Sequence, residues 1–346
     1  MINRALLVRR IMTLLVAAFG AVAFIWLHLP LPLLLGPMMA CLLVALAGVR
    51  LAGLGVLSTF MRTFLGVAVG ASVTPQLVHD LPQIASSLVF VPLFILSIGL
   101  VGYPLFRYAF GFDHATAYYG AMPGGLQDML VFGEEAGGDV RALSLIHATR
   151  VLVIVALAPV ILTGFWGLDL SQPPGAPARS VPILQLALMV GAGFFGWQIA
   201  ARVKLFGASI LGPMILTAAL SLSGIITQRP PAEIIWAAQF FIGVAVGVKY
   251  VGVTMQELRR DVLAGLVYSL GLALISAAFF FAITGFGLAP RLEVFLSFLP
   301  GGQGEMVVIA IIAGADLTYV VSHHLLRLIL VIMIGPIVGR FVGRGS

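Results

Sequence analysis

An all-α, polytopic membrane fold made from two copies of one unit is predicted by three observations. Hydrophobic residues make up 61% of the 346-residue chain and charged residues only 9%, against roughly 25% charged in an ordinary soluble domain. Apolar runs of about 17–25 residues, the length that crosses a bilayer core, recur from end to end. The sequence also repeats itself. Pro123-Gly124-Gly125 returns as Pro300-Gly301-Gly302. At the offset of 177 that sets Pro123 on Pro300, Met129 falls on Met306, Val131 on Val308, Ala136 on Ala313, Gly137 on Gly314 and Asp139 on Asp316. His147 then meets His324, Arg150 meets Arg327 and Pro159 meets Pro336, while Asp128 is replaced by Glu305 with its charge kept. Upstream, Gly66-Val-Ala-Val-Gly70 recurs as Gly243-Val-Ala-Val-Gly247, and Leu35-Gly-Pro-Met38 as Leu211-Gly-Pro-Met214, one residue out of step. A colinear set of this kind marks a duplication, and a duplication decides architecture first.

The first repeat divides into apolar segments at roughly 11–27, 33–51, 56–73, 84–106, 115–133 and 140–165, and the second at 182–201, 207–227, 234–253, 261–285, 292–314 and 316–339. Met1–Arg10 followed by Ile11–Leu27 has the outline of a signal peptide. Because further spans follow at once, it reads as an uncleaved first helix. Gly36-Pro37 and Gly212-Pro213 look like kinks near helix starts, and the Gly66/Gly70 and Gly243/Gly247 pairs form small faces suited to close helix packing. Leu168–Ser180, with Pro173, Pro174 and Pro177, is the stretch that reads as a linker. The domain organisation is therefore a membrane repeat at 1–167, a Pro-rich linker at 168–181 and a second membrane repeat at 182–346.

In each repeat the fifth segment carries Pro-Gly-Gly near its middle, where proline removes a donor and glycine weakens helix. Broken backbone at membrane depth is tolerated only against protein or a water-filled cavity. The segment either crosses as a discontinuous helix or dips in and returns as a re-entrant hairpin. The first arrangement keeps the repeats parallel and the second inverts them, leaving about five transmembrane helices plus the broken segment in each. Basic residues discriminate between the two. With a cytoplasmic N-terminus, inversion puts Arg4, Arg9, Arg10, Arg50, Arg62, Arg107, Arg141, Arg202, Lys204, Lys249, Arg259, Arg260, Arg340 and Arg344 inside and Arg179, Arg229 and Arg291 outside, 14 against 3. The parallel arrangement gives 11 against 6. Inverted repeats in a bacterial inner membrane, with both termini cytoplasmic, are the expectation.

Arg150 and Arg327 fall within these apolar segments, where an arginine costs at least about 2.5–3.5 kcal/mol and must face a partner or a cavity. Each follows a His at three residues and an Asp at eleven, so Asp139, His147 and Arg150, and Asp316, His324 and Arg327, share a helix side. Such arginines either hold the hairpin, by capping the carbonyls of the broken segment or pairing with Asp128 or Glu305, or they contact an anionic solute or gate its path. The candidate substrate-binding set is Pro123, Gly124, Gly125, Gln127 and Arg150 with Pro300, Gly301, Gly302, Gln303 and Arg327. Asp128 and Glu305 open the half-helix after each break. There they complement its positive N-terminus or bind Na⁺ or H⁺. His147, His324, Asp139 and Asp316 complete the ion-coupling candidates, with His323 a weaker one that lacks a repeat partner. Glu134 and Glu135, which have no counterpart in the second repeat, read as a solvated loop. No catalytic residue, metal site or cofactor is expected beyond Na⁺ or H⁺ coupling. The single cysteine, Cys41, rules out an intramolecular disulfide and a thiolate cluster.

These motifs, with His-x-x-Arg after each Pro-Gly-Gly, resemble the AbrB-type membrane protein family over about 11–165 and 182–340. That family is built from a duplicated hydrophobic region and is unrelated to the soluble DNA-binding regulator of the same name. The resemblance implies the duplicated architecture and carries no catalytic residue; members bear labels such as ammonia monooxygenase or regulator of gene expression. Three functions follow. A secondary transporter of a small solute, most readily an organic anion, uses discontinuous segments meeting near the midplane. A metal-dependent membrane monooxygenase would need a site assembled from the scattered histidines. A regulator of gene expression would act indirectly, because the basic residues lie in short loops and form no nucleic-acid patch. The expected partners are a small-molecule substrate and the lipid bilayer, not nucleic acid, with homo-oligomerisation left open.

Overall fold

A computed structural model describes residues 4–71, 73, 84–170, 173–205 and 208–342, the side chains of 127, 131, 303 and 340–342 excepted. The described residues contain helices and turns and no strand. Among the described residues, each repeat gives seven helices. In the first they are α1 (Arg4–Trp26), α2 (Pro32–Leu46), α3 (Val56–Gly70), α4 (Ile84–Ala109), α5 (His114–Ala121), α6 (Leu126–Glu135) and α7 (Val140–Gly164). In the second they are α8 (Ile183–Arg202), α9 (Ala208–Leu222), α10 (Ala232–Gly247), α11 (Met255–Gly285), α12 (Arg291–Phe298), α13 (Gln303–Ala313) and α14 (Leu317–Val342). The duplication read in the sequence thus reappears helix for helix.

Among the described residues, seven helices are long and apolar enough to cross a membrane: α1, α4, α7, α8, α11, α14, and α10 with its extension to Tyr250. The segments expected over 33–51, 56–73 and 207–227 contract to helices of 15 residues. At 1.5 Å per residue these reach only about 22 Å. After α2 and α9 the equivalent glycines Gly48 (φ +89°) and Gly224 (φ +74°) take the left-handed conformation that ends a helix. Outward-facing Phe19, Trp26, Leu274 and Phe281 are each at least 70% exposed, which suits a lipid surround and no aqueous one. The two Gly-Pro pairs sit inside α2 and α9, and Glu134 and Glu135 are the exposed last residues of α6, not a loop.

The chain forms two compact units, each drawn from both repeats: residues 1–79, 156–253 and 304–318 in one, 80–155, 254–303 and 319–346 in the other. The first unit is knitted by glycines. Gly36 of α2 meets Gly20 of α1, where an added methyl would fall 2.5 Å from the Gly20 carbonyl oxygen, and Gly196 of α8 meets Gly212 of α9 in the same way at 2.7 Å. The Gly-Val-Ala-Val-Gly helices then cross over. A methyl on Gly70 of α3 would lie 2.5 Å from the Met214 carbonyl oxygen of α9, and one on Gly247 of α10 would lie 2.6 Å from that of Met38 of α2. Gly66 meets Ile210 one turn earlier, and Gly243 meets Leu34. Contact therefore advances in the same direction along both partners, and each pair is parallel. Each small-residue helix packs on the Leu-Gly-Pro-Met helix of the other repeat.

The α2–α3 connection stays at one end of this unit. α1 and α2 form an antiparallel pair with Gly20 opposite Gly36, which sets Thr13 beside the C-terminal part of α2. Ala52 N–H donates to Thr13 Oγ1 (3.0 Å) and Arg10 Nε to the Gly53 carbonyl (3.3 Å). α3 accordingly begins near the end where α2 stops, with Gly53 just before it facing Val248 at the end of α10. Leu65 further along α3 and Ile242 earlier in α10 both border Gly304. α3 therefore runs antiparallel to α10, and so to α2.

The second unit holds α4, α5, α6, α11, α12, the first part of α7 and α14 from Tyr319 onward. Its core is aromatic, with Phe94, Phe106, Phe112, Tyr268 and Phe298 buried together. Phe94 meets Phe298 edge-on at 5.3 Å between ring centres, a geometry worth about 0.5–1.5 kcal/mol beyond burial.

Candidate functional site

α5 and α6 form a helical hairpin. Asp113 caps α5 by accepting from Thr116 N–H (2.9 Å). The backbone turns extended at Met122 (ψ 132°) and again at Gly125 (ψ 141°), where Pro123 supplies no N–H and the glycines offer no side chain to hold a helix. The chain then comes back along itself. Gly133 of α6 lies against Tyr119, a methyl on Gly138 would lie 3.1 Å from Thr116 N, and Asp139 N–H donates to Thr116 Oγ1 (2.7 Å). The exit of the hairpin is thus beside its entrance.

α7 starts at that entrance, capped by Asp139, which accepts from Arg141 N–H (2.9 Å) and Ala142 N–H (3.0 Å). Eleven residues along, about 16 Å at helical rise, Arg150 reaches the tip. Its Nη1 donates to the Met122 carbonyl (3.1 Å) and its Nη2 to the Gly124 carbonyl (3.0 Å). One turn below, His147 Nε2 sits 3.0 Å from the Tyr119 carbonyl, and since a carbonyl only accepts, that nitrogen carries the proton. Tyr268 of α11 donates its hydroxyl to the Ala121 carbonyl. The last turn of a helix leaves carbonyls without intrahelical partners, and here a His, a Tyr and an Arg meet them one after another.

The second repeat builds the same device. His324 Nε2 lies 3.0 Å from the Leu296 carbonyl, Ser276 Oγ donates to that of Phe298 (2.8 Å), and Arg327 donates through Nη1 to Leu299 (3.3 Å) and through Nη2 to Gly301 (3.2 Å). Arg327 Nη2 also lies 3.2 Å from His324 Nδ1, the acceptor nitrogen of that tautomer. Among the described residues the hydrogen-bond partners of Arg327 are carbonyls and an imidazole, and none is a carboxylate. His147, Arg150, His324 and Arg327 are all at least 97% buried. The two arginines feel each other electrostatically. A methyl on Gly125, at the first tip, would stand 3.8 Å from Leu328, the neighbour of Arg327.

The remaining candidates divide. Pro123, Gly124, Pro300 and Gly301 are buried at the tips, and Gly125 and Gly302 are half-buried. Asp128 lies in the first turn of α6 with its carboxylate folded over the tip, where a methyl on Gly125 would come within 2.5 Å of Oδ2. Glu305 takes the matching first-turn place in α13. Asp139 and Asp316 are helix caps, Asp316 accepting from Thr318 N–H (2.8 Å) at the start of α14. The side chains of Gln127 and Gln303 lie outside the described residues. Tyr268 and Ser276 escaped the sequence reading because at the repeat offset their counterparts are Val91 and Gly99. The hydroxyls of Tyr268, Ser269, Ser276 and Thr284, in a helix that carries no charge after Asp261, were the signal available. Among the described residues, no three His, Cys, Asp or Glu side chains come together to hold a metal.

Fold and site define a class: a duplicated helical protein with membrane-length helices and a paired set of arginine-locked Pro-Gly-Gly breaks. The pattern of the family described as transition state regulatory protein AbrB matches residues 33–343, and the chain belongs to that family. Among similar proteins, "Putative regulator AbrB" of Escherichia coli (strain K12) is 27% identical over 93% of both chains. "Uncharacterized protein YhjN" of Bacillus subtilis (strain 168) is 27% identical over 70% of this chain and 67% of its own.

Proposed function

We propose that this protein is a secondary transporter of a small organic anion, working at the two Pro-Gly-Gly tips of inverted repeats in the bacterial inner membrane. Inversion is supported by the helix directions of the first unit. α3 runs opposite to α2 and parallel to α9, so the repeat mates α2 and α9 run in opposite senses. The α5–α6 hairpin, which leaves where it entered, supports the re-entrant arrangement that inversion requires.

The observation that carries the anion is Arg327. Among the described residues its buried positive charge is met by carbonyl and imidazole dipoles, and the Arg150 guanidinium adds to the same field. In a low-dielectric interior this combination attracts an anion with little screening. The half-helix N-terminus of α6, where Gly125 gives no side-chain cap and the Asp128 carboxylate folds over the tip, adds partial positive charge. Asp128 and Glu305 are the carboxylates placed to couple transport to H⁺ or Na⁺. The label of the Escherichia coli relative favours a second reading, an indirect effect on gene expression through the solute moved. The monooxygenase reading gains no support from the positions of the described histidines.

A thermal-shift screen of detergent-purified protein against organic acids, amino acids and amines, with Na⁺ and pH varied, tests the class. A carboxylate at about 100 times its dissociation constant stabilises the folded state by about 2.7 kcal/mol. Stabilisation by amines and by no acid would end the anion reading.

A further inference from the structure

We infer that His323, Ser87 and Tyr319 form a proton-binding site, a place where the second unit takes up and releases H⁺ without moving a heavy atom. Ser87 on α4 is fully buried, His323 on α14 is 1% exposed and Tyr319, one turn earlier, is 4% exposed. His323 Nδ1 lies 2.8 Å from the Tyr319 carbonyl, an acceptor only, so Nδ1 carries a hydrogen in every state. The Tyr319 hydroxyl donates to Ser87 Oγ (2.7 Å). Ser87 Oγ stands 3.0 Å from His323 Nε2 and equally 3.0 Å from the Ile84 carbonyl.

The serine therefore has one hydrogen and two acceptors. With His323 neutral, the Ser87 hydrogen points at Nε2. When Nε2 takes a proton, it becomes a donor to Ser87 Oγ, and the serine hydrogen turns to the Ile84 carbonyl. Ser87 then accepts twice and donates once, which is the full capacity of a hydroxyl. Both protonation states keep a hydrogen-bond partner for every buried polar atom of the trio, so neither leaves an unpaired group at low dielectric. The added charge has a π-face ready, since the Tyr319 ring stacks on the imidazole at 4.2 Å.

Among the described residues, the other titratable or charged groups around the site are few. Glu293 on α12 acts electrostatically on Tyr319, and His324, beside His323 on α14, feels the charge of His323. Arg327 is one turn further along the same helix and bonds to His324. Phe298, whose ring meets His323 edge-on at 5.6 Å, immediately precedes Leu299, the carbonyl held by Arg327. A proton at His323 thus sits two contacts from the second tip. Its use as the coupling proton rests on the transport reading, whereas the site itself does not.

The test is a pH titration of ¹⁵N-histidine-labelled protein in lipid nanodiscs, with no solute present. The His323 signal is assigned by its loss in His323→Gln, and the fold is followed by circular dichroism. The imidazole should pass from the Nδ1–H form to the doubly protonated form, reversibly, before the protein unfolds in acid. Ser87→Ala should lower its midpoint by about one pH unit, because the bond it removes from the charged ring is stronger than the one it removes from the neutral ring. Should His323→Gln not fold, the signal displaced by Ser87→Ala makes the assignment. A ring that stays neutral until acid unfolding, or a midpoint unmoved by Ser87→Ala, would overturn the proposal. Neither result depends on whether a solute is carried, so this test can fail while the transport reading stands, and the reverse.

Discussion

Arg327 and Arg150 show how one side chain can be both a structural lock and a source of charge. Two hydrogen bonds from a charged donor, at about 1.5–3 kcal/mol each, hold each tip, and without them the carbonyls would face an interior that supplies no water. Arg327→Ala should therefore lower the melting temperature strongly, and Arg150→Ala likewise. Arg327→Lys keeps the charge but cannot bridge the Leu299 and Gly301 carbonyls as a planar fork does. Its stability should fall between those of wild type and the Ala variant, with uptake of the carboxylate returned by the thermal screen reduced further than stability alone explains. Melting curves beside proteoliposome uptake separate the two losses. Uptake at the wild-type rate by stable, well-expressed Arg150→Ala and Arg327→Ala proteins would remove the arginines from the solute path. The arginines were legible in the sequence because both repeats carry them. Their partners were not, since a backbone carbonyl looks the same at every position and only the folded tip reveals which ones lack a bond.

At the scale of elements, glycine sets how closely helices approach. A methyl on Gly70 or Gly247 would meet a carbonyl oxygen of the facing helix at 2.5–2.6 Å, so Gly70→Ala and Gly247→Ala must push α3 from α9 and α10 from α2. Overpacking of this kind costs about 1–3 kcal/mol. Gly191 on α8 has nothing within 4 Å of an added methyl, and Gly191→Ala should leave stability unchanged or raise it by up to about 1 kcal/mol through its helix preference. A thermal melt in which all three variants behave alike would show that the close approach carries no energy. The Gly-x-x-x-Gly spacing announced a packing face in the sequence. It could not announce that the face belongs to the other repeat, because a small-residue stripe specifies distance and leaves the partner open. The broken fifth segment behaved similarly: Pro-Gly-Gly marked the break, but whether the chain returns depends on contacts such as Gly133 against Tyr119 and Gly138 against Thr116, set by folding and by no local propensity.

For the whole molecule, the composition, the duplication and membrane-length helices were all readable from residue types, because burial in lipid selects apolar side chains along whole helices. In the sequence, only the distribution of arginine and lysine bears on the sense of the second repeat. The helix directions of the first unit give that reading independent support, since they involve no charge. α3 must return toward the start of α2, α9 lies parallel to α3, and α9 is the repeat mate of α2. If the repeats are inverted, an odd number of crossings separates equivalent points, so Ser180 between the repeats lies outside the cell while both termini lie in the cytoplasm. Replacing Cys41 with Ser leaves a chain without thiols, into which single cysteines can be placed at Ser180 and Ser346. A membrane-impermeant maleimide applied to intact cells should label the Ser180→Cys protein and reach Ser346→Cys only after the membrane is opened. Labelling of both positions in intact cells, or of neither, would mean an even number of crossings between them and would end the inverted arrangement, together with the midplane meeting of the two tips that it supports.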